Sequence, residues 1–181
     1  FITGFVEKNS EIFEEFKKWA LEQARPLKNE ELSSETEQDV ARYLIDKLKA
    51  IKKGPDDASA YHKLTVGILE FLFYPDLTKP SVEQEINSGR KRIDIVFQNS
   101  ANSGFFHWLP VNQRIACGYI FVECKNYSRD VKNQELDQLS GRFDFNKGRF
   151  GLLLCRSVND TETLLLRCHD TYTQGNGIML P

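Results

Sequence analysis

An α/β sandwich with a mixed central sheet is the architecture this sequence predicts. Apolar residues recur at helical spacing through the first third and again near 58–74, 132–146 and 161–172. Two short, densely apolar runs, Arg92–Phe97 and Gly118–Lys125, read as strands. Beyond residue 57 the types run helix, strand hairpin, strand, helix, strand, helix, strand, an order that layers helices on a sheet.

Taken in order, Asn9 or Ser10 caps a helix carrying Ile12, Phe13, Phe16, Trp19 and Ala20. Ser34 and Glu37 form a capping-box pattern, each side chain satisfying a first-turn N–H that has no helical partner. Val40, Tyr43, Leu44, Leu48 and Ile51 then make one apolar stripe, which Gly54-Pro55 ends. Residues 1–57 hold no chemical constellation and read as a helical extension, for packing or interaction, ahead of a core over 58–181. A helix from about Ala58 to Tyr74 is expected to bury Leu64, Ile68, Phe71 and Leu72. Pro75 and Pro80 bracket a turn, residues 82–86 form a first strand, and Gly89 turns the chain into Arg92–Phe97. A long polar and aromatic loop covers 98–114. The near-continuous apolar run Gly118–Lys125 predicts a strand covered on both faces. A helix at about 132–146, the strand Gly151–Cys155 and a helix at about 161–172 follow. Gly175-Asn176-Gly177 then leads into a last strand.

With 181 residues, 40% hydrophobic and 28% charged, the composition is that of an ordinary globular domain. No apolar run reaches bilayer-spanning length, so no membrane partner is expected. Cys117, Cys124, Cys155 and Cys168 show no zinc-site spacing, and two of them lie in apolar runs, which predicts a reducing, cytoplasmic setting. The net charge of −2 neither favours nor excludes a polyanionic ligand. Residues 1–60 carry 10 basic and 13 acidic side chains and residues 61–181 carry 14 and 13. The chain opens on Phe1 and closes in strand-like sequence, so it is read as part of a longer protein.

Against this background, Asp94 is a carboxylate in the middle of Ile93-Asp94-Ile95-Val96-Phe97, and Glu123 and Lys125 close Tyr119-Ile120-Phe121-Val122-Glu123-Cys124-Lys125. A buried unpaired charge is costly, so such residues need a partner, a metal or a solvated cleft. Strand period two puts Glu123 and Lys125 on one face and Cys124 on the other. If the strands are neighbours, two carboxylates and an amine meet. Two oxygen donors with waters suit Mg²⁺, which could polarise a phosphoryl oxygen and activate a water. Lys125 would orient that water or neutralise charge in the transition state, and neighbouring carboxylates favour its protonated form. A buried ion-pair network is the competing structural reading.

An Asp in a hairpin strand followed by Glu-x-Lys at the end of the next strand resembles the PD-(D/E)XK superfamily of restriction-endonuclease-like enzymes. Arg90-Lys91-Arg92-Ile93-Asp94-Ile95-Val96 and Phe121-Val122-Glu123-Cys124-Lys125-Asn126-Tyr127 look like the motif strands of Mrr-type restriction nucleases. The resemblance spans about residues 58–181. It implies a restriction-endonuclease-like αβββαβ core, with a mixed central sheet flanked by helices. It also implies Mg²⁺-dependent hydrolysis of nucleic-acid phosphodiesters, with Mn²⁺ as a substitute. Asp94 and Glu123 match the metal ligands and Lys125 the catalytic lysine. Glu70, on the preceding helix, matches an accessory acidic ligand, and Gln138 a glutamine common in Mrr-like and RecB-like branches. Ile93 stands where the nominal pattern has proline. The resemblance further implies DNA, ahead of RNA, as substrate, and the effector domain of a restriction or anti-phage defence protein acting with other domains of its parent. Cutting both strands of a duplex commonly takes two sites, which makes a homo-oligomer one expected form. A catalytically silent module that binds nucleic acid or assembles a complex is the alternative.

Other candidates carry two readings each. Glu70 reads equally as a solvated surface glutamate. Gln134, Gln138 and Arg142 recur every four residues, facing either the site and a phosphate or plain solvent. Arg90, Lys91, Arg92, Arg129 and Lys132 flank the motif strands where a nucleic-acid backbone would run, although a charge cluster on a turn is more often simply solvated. His62, His107 and His169 have no second ligand at useful spacing and read as ordinary. Phe105, Phe106 and Trp108 stack on bases, bind a partner or cover the core.

Overall fold

A computed structural model of the chain describes residues 34–86 and 91–181. The helix read over 12–20, the Gly89 turn and Arg90 lie outside the described residues. Helices α1 (Ser34–Ala50) and α2 (Ala58–Phe73) lead into strands β1 (Leu77–Ile86) and β2 (Lys91–Asn99). Helix α3 (Gly104–Asn112), strand β3 (Tyr119–Lys125) and helix α4 (Asn133–Ser140) come next. Strand β4 (Phe150–Cys155), helix α5 (Thr161–Thr173) and strand β5 (Ile178–Leu180) complete the order.

The five strands form one sheet in the order β1-β2-β3-β4-β5. β1, β2 and β3 pair antiparallel, while β3, β4 and β5 pair parallel, so the sheet is mixed as the element order predicts. Its two faces are both covered. Ile95, Phe97, Ile120 and Val122 pack with Tyr61 and Leu69 of α2 and with Phe106 and Leu109 of α3. Val96, Phe121 and Leu153 pack with Leu136 and Leu139 of α4 and with Leu164 and Cys168 of α5. Every residue of β3 after Tyr119 is buried, which is why this strand reads as an unbroken apolar run. Among the described residues no helix is long and apolar enough to cross a membrane.

Several elements differ from the sequence reading, each for a physical reason. The buried face of α2 is Tyr61, Thr65 and Leu69, whereas Leu72 is exposed and Leu64, Ile68 and Phe71 are only partly covered. This helix is apolar on most sides, so its pattern does not single out one face. β1 begins at Leu77 and carries Pro80 where its register shifts between Thr78 and Ser81, a position open to proline because β1 is an edge strand. The 98–114 segment is not a plain loop but contains α3. Pro110 lacks the N–H that would bond to the carbonyl four residues back, and the side chain of Asn99 supplies it, Nδ2 donating to Phe106 O at 2.9 Å and to Cys117 O at 2.8 Å. Helix α4 ends at Ser140, short of 146. Gly141 follows, and the chain turns so that Phe143 stacks on Phe121, ring centroids 6.2 Å apart. At the return into β5, Gly177 has φ +114 and a Cβ there would lie 2.4 Å from Arg149 O, so only glycine fits.

The described part of the N-terminal segment is stitched to the sheet. Asn126, next after β3, donates from Nδ2 to the carbonyls of Lys52 (2.8 Å) and Gly54 (2.9 Å), and Gly54 N–H donates to its backbone carbonyl at 2.7 Å. Arg156, next after β4, donates to Leu48 O at 2.6 Å and Ile51 O at 3.1 Å, closing the end of α1. Asn126 is buried, so Asn126→Ala strands two carbonyls and is expected to cost about 1–3 kcal/mol. Urea unfolding measures this; a loss below about 0.5 kcal/mol would show that the 52–54 loop is anchored elsewhere.

Candidate active site

The site is built where β2 and β3 part. Their register runs from Gln98↔Tyr119 to Ile95↔Val122 and ends there, while β3 stays paired with β4 through Lys125↔Cys155. Alternation slips at this point of β2: Ile93 and Ile95, two residues apart, belong to core clusters on opposite faces. Asp94 sits in the slip. Its Oδ2 accepts the backbone N–H of Cys124 at 2.8 Å, so a side chain takes over where the ladder stops.

On β3 the alternation holds. Cys124 belongs to the core shared with α2, and Glu123 and Lys125 take the opposite face, toward α4. Glu123 is wholly buried. Its Oε1 lies 2.5 Å from Lys125 Nζ, and its Oε2 is ion-paired with Arg142. Lys125 Nζ also donates to Gln138 Oε1 at 3.1 Å and stands 5.9 Å from the centre of the Tyr127 ring. Burial pulls the Arg142 guanidinium below its ordinary pKa, and the charge of Asp94 works in the opposite sense. Arg142 is thus a buried countercharge to Glu123, on a turn after α4 rather than on a wet helix face.

The sequence reading passed over His62. From α2 its Nε2 approaches to 3.9 Å of Asp94 Oδ2, both side chains being slightly exposed at 17% and 18%. One ligand atom each from His62, Asp94 and Cys124 lies within 4.8 Å of the others, and His62 Nδ1 is buried with no hydrogen-bond partner. Burial, and then the charge of Asp94, push the Cys124 thiol up to about 12. The partly exposed donors are the Asp94 oxygen and the His62 nitrogen, a mixed oxygen and imidazole pair that fits a first-row divalent metal, Mn²⁺ among them, better than the all-oxygen shell Mg²⁺ prefers. No signal in the sequence marked His62, because its partner lies across a loop and a strand.

The other candidates fall as follows. Glu70 is exposed, two helical turns and about 12 Å along α2 from His62. Gln138 reaches Lys125, whereas Gln134 is exposed. Lys132 is exposed at the start of α4, and Lys91 and Arg92 lie in β2 opposite Ile86 and Glu85. Phe106 is core, while Phe105 and Trp108 are half exposed on α3, which joins the ends of β2 and β3 remote from Glu123 and Lys125. These rings are too far along the sheet to stack a base at the site.

A buried carboxylate held between two cations makes a specific prediction. Arg142→Met is expected to lower stability by about 3–5 kcal/mol at neutral pH, because it leaves a buried ion pair half broken. Arg142→Met with Glu123→Gln should recover most of that loss, and thermal or urea unfolding of the double-mutant cycle measures the coupling. Additive losses would show that the pair is not coupled. Comparison of the chain with models of known protein families, with curated proteins and with solved structures gave no match.

Proposed function

We propose that this chain is a Mg²⁺-dependent endonuclease of the PD-(D/E)XK type, hydrolysing phosphodiester bonds of DNA in preference to RNA. One observation carries the reading: the end of β3 gathers Lys125, bonded to Glu123 and Gln138, and Asp94, bonded to the backbone N–H of the intervening Cys124. The element order α2-β1-β2-β3-α4-β4 supports a restriction-endonuclease-like αβββαβ core, with α3 inserted between β2 and β3 and with α5 and β5 following.

The ion would be held at the entrance by Asp94, with His62 in the place that the resemblance gives to Glu70, and Glu123 would join only by releasing Arg142 or Lys125 from one of its oxygens. When bound it supplies Lewis-acid polarisation of a phosphoryl oxygen and a more acidic water. The chain's own residues do the rest. Lys125 offers an ammonium, fixed by two acceptors, to the charge that grows on the pentacovalent phosphorus. Gln138 holds that ammonium in place from α4. The backbone N–H of Cys124 fixes one oxygen of Asp94, which leaves the other to turn outward. Asp94 and His62, at the slightly exposed edge, form the entrance, and Glu123 lies sealed behind them.

That sealing supports the second reading, a catalytically silent module for binding nucleic acid or for assembly. Arg142 occupies an oxygen of Glu123 that a cation would need. A cleavage assay separates the two. Wild type should nick plasmid DNA in Mg²⁺ or Mn²⁺ and not in EDTA. Asp94→Ala and Lys125→Ala should each lose about 10²–10³-fold in rate. His62→Ala should fall with them, while Glu70→Ala stays within about threefold, under 1 kcal/mol of barrier. Cleavage that persists in Asp94→Ala and Lys125→Ala sinks the nuclease reading. Wild type that binds the DNA yet neither cleaves it nor binds Mn²⁺ by titration calorimetry favours the silent module.

A further inference from the structure

Beyond the end of β3, a cavity of about 330 Å³ opens between the 129–132 loop and the first turns of α5. Three cations line it, two from one wall and one from the other: Arg129 and Lys132 at the two ends of the loop, and Arg167 in the second turn of α5. Thr163 lines it too, and so do the carboxylates of Asp130 and Asp160. Three cations against these two carboxylates leave the lining with one net positive charge, and hydrogen bonds within the loops hold the carboxylates in place. Asp130 accepts from Asn159 N (2.7 Å), Asn159 Nδ2 (3.1 Å) and Asp160 N (3.1 Å), and Asp160 accepts from Thr163 N at 2.9 Å.

The Arg129 guanidinium lies over the Tyr127 ring at 4.6 Å, donates to Asp130 O at 3.2 Å and is ion-paired with the buried Glu135 at 3.4 Å, yet its side chain stays half exposed. Arg167 donates one Nη1 bond, to Val131 O at 3.1 Å, out of its five N–H donors. Lys132 is exposed at the rim. Because Asp160 already caps α5 and also holds the Thr163 side chain, an incoming anion would be held by the cationic side chains rather than by the helix end. A planar guanidinium fork paired with a mobile ammonium is the donor set that suits a tetrahedral oxyanion.

We infer that this cavity is a phosphate-binding site formed by Arg129, Lys132 and Arg167. The phosphate has two chemical sources, a backbone phosphate of a nucleic-acid strand or a free phosphate compound, and both present tetrahedral phosphoryl oxygens to the same donors, as a monoanion in the diester and a monoanion or dianion in the free compound. The Tyr127 ring, with Lys125 5.9 Å and Arg129 4.6 Å from its centre, places the cavity next along the chain from the candidate active site.

The test is a binding measurement in EDTA, so its outcome is separate from that of the cleavage assay. A labelled DNA oligonucleotide is titrated by anisotropy, and inorganic phosphate and a nucleoside monophosphate by ³¹P NMR. Lys132→Glu and Arg167→Gln are each compared with wild type. The expected result is an affinity lower by about tenfold in each variant, with the salt dependence of DNA binding shallower by about one unit of slope for the lost lysine. Loss seen with the oligonucleotide alone identifies a strand backbone as the source, and loss seen with the small phosphates identifies a free ligand. Lys132 is exposed, so its variant remains informative even if Arg167→Gln is unstable. Wild type that binds neither probe, or a folded Lys132→Glu that binds both as wild type does, overturns the site.

Discussion

Glu123 carries a charge at a position with no access to water, and much of the structure around β3 is arranged to make that tolerable. Moving a lone carboxylate into such a place costs several kcal/mol even after relaxation. Two cations answer it from different directions. Lys125 comes from the same strand, one pleat further on, and Arg142 from the turn beyond α4. Bringing Arg142 to the sheet requires α4 to stop at Ser140 and the chain to double back. Phe143 then closes over Phe121, and Gly151 and Gly177 leave the room its ring needs. A short helix, a stacked aromatic pair and two glycines thus share one electrostatic cause.

The parting of β2 from β3 is the complementary constraint. Parallel β3 and β4 continue side by side past the point where β2 leaves, which opens a crevice outside the carboxyl end of β3. Crevices of this kind are where open α/β sheets place their ligands. The slip in β2 turns Asp94 toward α2, so that His62 becomes its neighbour, while Glu123 faces α4. The two carboxylates therefore bracket the end of β3 rather than sharing one face of the sheet. Behind them, Asn126 and Arg156 fasten the loop between α1 and α2 to the ends of β3 and β4. The residue after Lys125 is thereby fixed by a segment more than seventy positions away in the sequence.

Most of the sheet was legible because its signal is local. Period two in β3 and the turn residues before β5 needed no partner to be read. The faces of Glu123 and Cys124 followed from alternation alone. What escaped depended on distant contacts. α3 was hidden because Pro110 argues against a helix unless Asn99 supplies the missing donor. The buried side of α2 could not be fixed from a helix apolar on most sides, and with it went the choice between Glu70 and His62. The spacing of Gln138 and Arg142 was visible, yet it left open whether they face the site or solvent, and the turn after Ser140 that carries Arg142 to Glu123 is not marked by helical spacing. Asp94 itself was found, but strict alternation gave it the face of Glu123, and the slip that moves it is not written in residue types.

The chain's net charge of −2 conceals two populations of cation. Lys125 and Arg142 face inward and are matched by Glu123, with the charge of Asp94 also reaching Arg142, so the set is close to neutral as it stands. Placing a dication against these carboxylates would leave the same set positive, and the end of β3 would then attract a polyanion that it does not attract by itself. Arg129, Lys132 and Arg167 face the cavity beyond it, three cations against the two carboxylates of Asp130 and Asp160. Tyr127 stands between the two populations, its ring shared by Lys125 and Arg129. Affinity for an anion at this end of the sheet therefore does not follow from overall charge. It follows from which charges the fold gathers around one hollow, and that is a property of the fold rather than of the composition.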